Sequence, residues 1–332
     1  MNDEAKTDAL LEVKELSVSF ATDEGEVDAL DAVNFDVKHG QTLGLVGESG
    51  CGKSVTALSV MRLLPRPIGK ITGGRIHFGG MDLLKLTPDE MRQIRGNEIG
   101  MIFQEPMNAL NPVRTIGDQI SESFLLHQNI TPKKAWEKSI EMLEDVGIPA
   151  PENRVFEYPH QLSGGMRQRV VIAIALACKP KLVIADEPTT ALDVTVQSQI
   201  LDLLQSMKER LGSSVLLITH DLGVIAETCD EVCVMYAGRV VERASTVDLF
   251  ANPIHAYTRG LLSSIPRLDG IPKTVLSTID GMVPSLSELN KGCRFAPRSG
   301  LEHSDEQLAL RPPFTEVNPG HWVEACPVCT TL

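Results

Sequence analysis

The sequence has no long apolar run. Its longest uninterrupted stretch, Val170 to Cys178, is nine residues, whereas a helix that crosses a bilayer needs about 20. Any service to a membrane is therefore expected of a peripheral subunit. Basic charge is also short: 31 Lys and Arg face 44 Asp and Glu, for a net charge of −13. That is the opposite of the basic footprint with which general nucleic-acid binders neutralise phosphates, so no nucleic-acid partner is expected. A paired cysteine framework is missing too. Of seven cysteines, Cys51, Cys178, Cys229 and Cys233 are scattered, and Cys293, Cys326 and Cys329 fall near the end. An odd count with this spread argues against a secreted disulfide scaffold and predicts a reducing cytosol. Met1 to Ala9 is acidic and polar, which does not read as a signal peptide. No internal repeat and no sustained heptad pattern is visible.

What remains is an ordinary globular composition, 42% hydrophobic and 23% charged over 332 residues, long enough for a large core and for two domains. Leu11, Val13, Leu16, Val18 and Phe20 alternate as a strand does, and Val33, Phe35 and Val37 repeat the pattern after the acidic turn at Asp23 to Glu26. Thr42 to Val46 reads as a buried strand and Val55 to Leu64 as a helix. The region from about 87 to 170 reads as mainly helical. Within it Thr131 and Pro132 form an N-cap with proline at the first helical position, followed by Trp136, Ile140, Leu143 and Val146 at helical steps. Strand and helix then alternate: Leu182 to Ala185, Val194 to Leu211, Val215 to Ile218, Val232 to Tyr236. Such alternation predicts a parallel sheet covered by helices. From about residue 250 prolines accumulate, and 251–332 reads as a loop-rich extension.

Two stretches carry phosphate chemistry. Gly47-Glu48-Ser49-Gly50-Cys51-Gly52-Lys53-Ser54, followed by Val55, fits the P-loop pattern between a predicted strand and a predicted helix. Glycines let the backbone curl so that amides face phosphate oxygens, and the helix that follows turns its positive end to the same anion. Lys53 is expected to reach the β- and γ-phosphates of ATP and Ser54 to hold Mg²⁺. Cys51 stands at a variable position and reads as a tolerated small residue. The apolar strand Leu182 to Ala185 ends in Asp186 and Glu187. At the carboxyl end of a parallel strand these two suit, respectively, water-mediated Mg²⁺ binding and general-base activation of the attacking water. Val215 to Ile218 similarly ends at Thr219-His220-Asp221, where His220 is placed to sense the γ-phosphate.

Leu162-Ser163-Gly164-Gly165-Met166-Arg167-Gln168-Arg169, lying between the P-loop and the acidic strand, resembles the signature of ABC ATPases. The resemblance implies an α/β fold: a P-loop NTPase (RecA-like) core with an antiparallel β subdomain, an inserted helical signature subdomain and a C-terminal extension. It implies a nucleotide-binding domain over 10–250, and a head-to-tail dimer in which Leu162, Ser163, Gly164, Gly165, Met166 and Gln168 cover the nucleotide of the partner subunit. Gln104 matches the glutamine loop that touches Mg²⁺. Asp193, in Ala191-Leu192-Asp193, matches the loop at the dimer interface, and Phe20 is the candidate for stacking on adenine.

Phe103 to Pro112, Tyr158 to Arg169 and Asp186 to Gln197 are similar to a narrower group, the D-type ATPases of dipeptide and oligopeptide importers. That group pairs with a second, homologous ATPase, two permeases and an extracytoplasmic peptide-binding protein at the bacterial inner membrane. Related members serve nickel complexes, glutathione or antimicrobial peptides, and more distant ABC ATPases are soluble proteins of translation or DNA repair. Gly292 to Arg298 resembles the group's C-terminal motif, whose cysteines can hold an iron–sulfur cluster. Here Ser299 stands at the second cysteine position and Cys329 is additional. Three readings stay open: an altered iron–sulfur site, a zinc site of Cys293, His321, Cys326 and Cys329, or cysteines without a metal.

Overall fold

The computed structural model describes residues 8–331 except 24, 106–108, 191, 266–277, 286, 287 and 290. Expectations placed on Met1 to Thr7, Pro106 to Asn108, Ala191, Pro266 and Pro272 lie outside these residues. The chain forms two compact units that interleave along the sequence. One consists mainly of Gly79–Ile218, the other of Leu11–Asp36, Leu43–Phe78 and Thr219–Leu332. Among the described residues no helix is long and apolar enough to cross a membrane.

The second unit opens with strands β1 (Ala9–Thr22) and β2 (Gly25–Lys38), then β3 (Thr42–Val46), a helix at Lys53–Val60 and β4 (Gly69–Phe78). β1 lies between β2 and β4 and pairs with β4 in antiparallel register, Leu11 facing Phe78 and Phe20 facing Gly69. On β2, Leu30, Val33, Phe35 and Val37 are buried, so the alternation read from the sequence marks the covered face.

The first unit contains a short strand β5 (Met81–Asp82) and the parallel strands β6 (Ile99–Ile102), β7 (Leu182–Asp186) and β8 (Ser214–Thr219). Every residue of β6, β7 and β8 is buried, which is why their interiors are apolar without alternation and polar side chains stand only at the ends of β7 and β8. Around them run the helices Ile116–His127, Pro132–Asp145, Gly164–Leu176 and Val194–Leu211. Thr131 accepts a hydrogen bond from the Lys134 amide at 3.3 Å ahead of Pro132, as the cap pattern predicts. The block read as mainly helical also contains β6, whose four residues are too short to show a period.

In the second unit β9 (Glu231–Tyr236) runs parallel to β3, and β10 (Arg239–Ser245) returns antiparallel to β9. The extension read as loop-rich then adds an antiparallel hairpin, β11 (Phe314–Asn318) and β12 (His321–Glu324), with β12 pairing to β10. Pro319 sits in its turn beside Gly320 at φ +75°, so the proline breaks no ladder. Charge also holds the extension to the rest of the unit, through Arg294 and Arg311. Asp31 accepts from Arg239 at 2.9 Å, Arg294 at 2.8 Å and Arg311 at 2.9 Å. Burial opposes its charge, but these guanidiniums hold the carboxyl below its ordinary range.

His321 is buried on β12, and its Nε2 lies 2.7 Å from the fully buried carboxylate of Glu242. That bond corrects its assignment as a metal ligand. Glu242 also accepts from the amides of Ile254 at 2.7 Å and His255 at 2.9 Å. Burial alone would push its carboxyl up; these donors outweigh burial and hold it below the ordinary value of 4.5. A lowered folded pKa gives stability that is present above 4.5 and is lost as pH falls through the folded value. Glu242→Gln is expected to cost about 1–3 kcal/mol at neutral pH, from donors left badly matched. It should also flatten the acid side of the stability profile, as measured by denaturant unfolding from pH 7 downward.

Candidate active site

The second unit builds a phosphate cradle. β3, with all five residues buried, ends at Val46, and the chain curls through Gly47–Gly52 into the helix Lys53–Val60. Two glycines are obligatory there. A Cβ on Gly47 would collide with the carbonyl oxygen of Met235, and one on Gly52, at φ +104°, would come within 2.6 Å of Leu30. Gly52 is also the N-cap and offers no side-chain acceptor, so the first amides of the helix remain suited to an anion. Lys53 is only 5% exposed, and its ammonium donates to the carbonyls of Gly47 at 2.8 Å and Glu48 at 3.1 Å. Its charge is therefore held against the loop rather than free in solvent. Cys51 is buried, and burial pushes its thiol up, which suits packing and not reactivity.

The Glu48 side chain, expected at the nucleotide, is committed elsewhere. Its carboxylate forms a two-pronged pair with Arg298 at 2.6 and 3.0 Å, and its amide donates to the Tyr257 hydroxyl at 2.9 Å. The Arg298 side chain is 4% exposed and lies 5.8 Å from the centre of the Tyr236 ring. Tyr236, Tyr257 and Phe295 pack with ring centroids 4.6 to 5.5 Å apart. The C-terminal extension thus grips the P-loop. Spacing could not show this partnership, although Arg298 closes the Gly292 to Arg298 motif. Phe20 is half-buried on β1, its ring edge against Gly69. His220 is exposed just beyond β8, and Asp221 behind it caps the helix Leu222–Thr228 through the Gly223 and Val224 amides at 2.8 and 3.3 Å.

The first unit builds the acidic half. β7 delivers Asp186, 4% exposed, and Glu187 follows with a left-handed backbone at φ +47°. That conformation costs a non-glycine residue about 1–3 kcal/mol, and such strain clusters at functional sites. The Glu187 amide donates to the Ile218 carbonyl at 2.9 Å, which fixes the turn. Its carboxylate accepts from Gln104 Nε2 at 3.0 Å and from Thr190 Oγ1 at 2.9 Å. Gln104 reaches it because β6 lies in register beside β7, with Ile102 facing Ala185. A carboxylate steered by two neutral donors is well arranged to take a proton from water. Thr190 was not singled out in the sequence; its place three residues after Glu187 was the available signal.

In the signature, Ser163 caps the helix Gly164–Leu176 through the Met166 amide at 3.3 Å. Ser163 and Gly164 are exposed, Gly165 and Met166 half-buried. A Cβ on Gly165 would come within 2.9 Å of Val196, so glycine there permits close packing of two helices. Leu162 is buried, as is Gln168, whose Nε2 donates to the Pro188 carbonyl at 2.6 Å. This corrects the expectation for Gln168: it ties the signature helix to the turn after Glu187 and does not face a partner. Asp193, exposed, caps the helix Val194–Leu211 through the Val196 amide at 2.9 Å. In the extension, Cys293, Cys326 and Cys329 come together, and the histidine beside them is His303 in place of His321.

Comparison with known proteins agrees with both halves. The family model described as ABC transporter matches residues 30–190, and that described as oligopeptide/dipeptide transporter, C-terminal region, matches 241–304. The chain is 52% identical over 321 residues to the probable peptide ABC transporter ATP-binding protein y4tR of Sinorhizobium fredii, covering 97% of this chain and 96% of that protein. It is 50% identical over 316 residues to the oligopeptide transport ATP-binding protein OppD of Bacillus subtilis, covering 95% and 88%. Among solved structures it resembles the dimeric ATP-binding cassette MJ0796 in a post-hydrolysis state bound to ADP and Pi. There the TM-score is 0.64 and the identity 28%, over 71% of this chain and 98% of that one. With the P-loop, the signature and the acidic strand end in place, the chain belongs to the ABC transporter ATP-binding proteins, in the oligopeptide/dipeptide branch.

Proposed function

We propose that this protein is the ATP-hydrolysing subunit that energises a membrane importer of short peptides, with Glu187 as the base of the reaction. The carrying observation is the Glu187 carboxylate, oriented by Gln104 and Thr190 on a strained turn at the end of a buried parallel strand. The P-loop amides and Lys53 bind the phosphates of ATP. Ser54, Gln104 and Asp186 offer the oxygens that Mg²⁺ prefers, and the ion supplies charge neutralisation at the phosphates. Glu187 takes the proton of the attacking water, and His220 contacts the γ-phosphate. Phe20 stacks on adenine.

The exposed Ser163 and Gly164, at the start of a helix, present amides to an anion held by a second ATPase, which fits a closed dimer with one nucleotide at each signature. Closure is favoured by the higher affinity of that state for ATP, and hydrolysis reverses it. In this reading residues 10–250 form the nucleotide-binding domain, with its helical subdomain at about 87–170, and 251–332 the extension. The complex comprises a homologous second ATPase, two permeases and an extracytoplasmic peptide-binding protein, at the cytoplasmic face of the bacterial inner membrane. Names of relatives such as OppD support peptides as the cargo class. Exposed Phe103, Phe156 and Tyr158 in the first unit suit contact with a permease.

Glu187→Gln should lower kcat by about 10²–10⁴-fold while ATP binding persists, measured as phosphate release alongside nucleotide titration. An unchanged kcat would remove Glu187 as base. The tagged Glu187→Gln chain, captured with ATP from detergent-solubilised native membranes, should bring two polytopic permeases and a second ATPase; recovery of ribosomes alone would overturn the transport reading. Phe156→Ser should reduce permease recovery in that capture and leave ATP affinity intact. Arg298→Ala should weaken ATP binding, since Glu48 then lies unpaired beside the incoming phosphates, and Glu48→Gln in the same chain should restore part of the affinity, read by calorimetry.

A further inference from the structure

Three cysteines and one histidine from separate stretches of the extension meet at one point. Cys293, Cys326 and Cys329 are fully buried, and their sulfurs and a ring nitrogen of His303 all lie within 4.8 Å of one another. Cys293 Sγ is 3.6 Å from Cys329 Sγ, and Cys329 Sγ is 3.4 Å from His303 Nε2. Tetrahedral zinc, with Zn–S about 2.3 Å and Zn–N about 2.0–2.1 Å, sets ligand edges of about 3.8 Å between sulfurs and about 3.6 Å from sulfur to nitrogen. The observed edges fit one ion. They are far beyond the roughly 2.05 Å of a disulfide.

The surroundings are prepared in the same sense. His303 Nδ1 lies 3.0 Å from the Leu301 carbonyl, which can only accept. The proton therefore sits on Nδ1, and Nε2 turns its lone pair toward the sulfurs, the outer hydrogen bond by which a ligand histidine is usually fixed. Cys326 and Cys329 have the two-residue spacing of a zinc knuckle.

The iron–sulfur cluster raised by the family resemblance does not fit. Such clusters ordinarily take four thiolates, each on an iron of a multinuclear core. Here there are three, Ser299 stands where a further cysteine was expected, and four donors closed about one point leave no room for inorganic sulfide.

We propose that Cys293, His303, Cys326 and Cys329 form a mononuclear, tetrahedral site for a divalent transition metal, zinc by its donor chemistry. Four protein ligands leave no open position, so the site is structural. Binding releases the thiol protons to solvent and cross-links three stretches of the extension. One of them runs from Cys293 through Phe295 to Arg298, the residue that grips Glu48 of the P-loop. Another anchors the helix Ala256–Ser263, whose Ala256 amide donates to the Cys329 carbonyl at 2.8 Å.

The test uses the full chain, purified under reducing conditions without chelator and measured for metal by mass spectrometry and for acid-labile sulfide. One zinc per chain and no sulfide is the expected result. After chelation, Co²⁺ should give tetrahedral d–d bands with thiolate charge transfer. His303→Ala should lower zinc affinity more than about tenfold, whereas His303→Cys should keep the metal and move the cobalt bands toward a four-thiolate spectrum. Cys178→Ser should change nothing. Iron with sulfide, failure of the reduced protein to take up Zn²⁺ or Co²⁺, or a metal indifferent to His303→Ala would each overturn the proposal.

Discussion

Parallel pairing of fully buried strands is the constraint on which the molecule depends. A strand covered on both faces has no place for a polar side chain along its length, so polar chemistry is displaced to its ends. Within the first unit, β6 ends before Gln104 and β7 ends at Asp186 and Glu187. Within the second, β3 ends at the glycine loop. The β6–β7 register then does what sequence distance hides: it brings a glutamine and a glutamate 83 residues apart to 3.0 Å.

The same economy governs the polar groups that are buried. Lys53 is satisfied by loop carbonyls, Gln168 by the Pro188 carbonyl, and Glu242 by His321 and two amides. Each is expensive to bury alone and inexpensive once bonded. Where the partner comes from another segment, as Pro188 does for Gln168 and His321 for Glu242, the bond also locks the two segments together. Glu187 is the exception in kind: its left-handed backbone is tolerated because its amide and carboxylate are both held. Rigidity there suits the role of base proposed for Glu187, which has to meet a water molecule in one orientation.

The C-terminal extension takes a larger part than its proline content suggests. It contributes a hairpin to β10, two arginines to Asp31, and Tyr257 and Arg298 to Glu48. The Glu48 carboxylate and amide of the P-loop are thereby held by residues more than 200 positions further along the chain. The cysteine and histidine cluster lies at the other end of the same stretch.

Much of this was legible in the residues. The glycine curl, the acidic strand end and the signature helix start are short motifs whose backbone follows from neighbouring residues, and the helix Val194–Leu211 and the strand Thr42–Val46 lie where apolar pattern places them. Local chemistry determined these because backbone curl, capping and strand burial act over a few residues. Tertiary structure alone decided the rest. Gln168 looked like part of an exposed signature but turns inward, Glu48 looked like a phosphate contact but pairs with Arg298, and His321 looked like the fourth ligand but bonds Glu242 while His303 joins the cysteines. In each case a side chain chose between partners that the sequence leaves far apart. The outcome depends on which segments are packed side by side, because a hydrogen bond or a coordination site is settled by distances of 3 to 4 Å in space and not by separation along the chain.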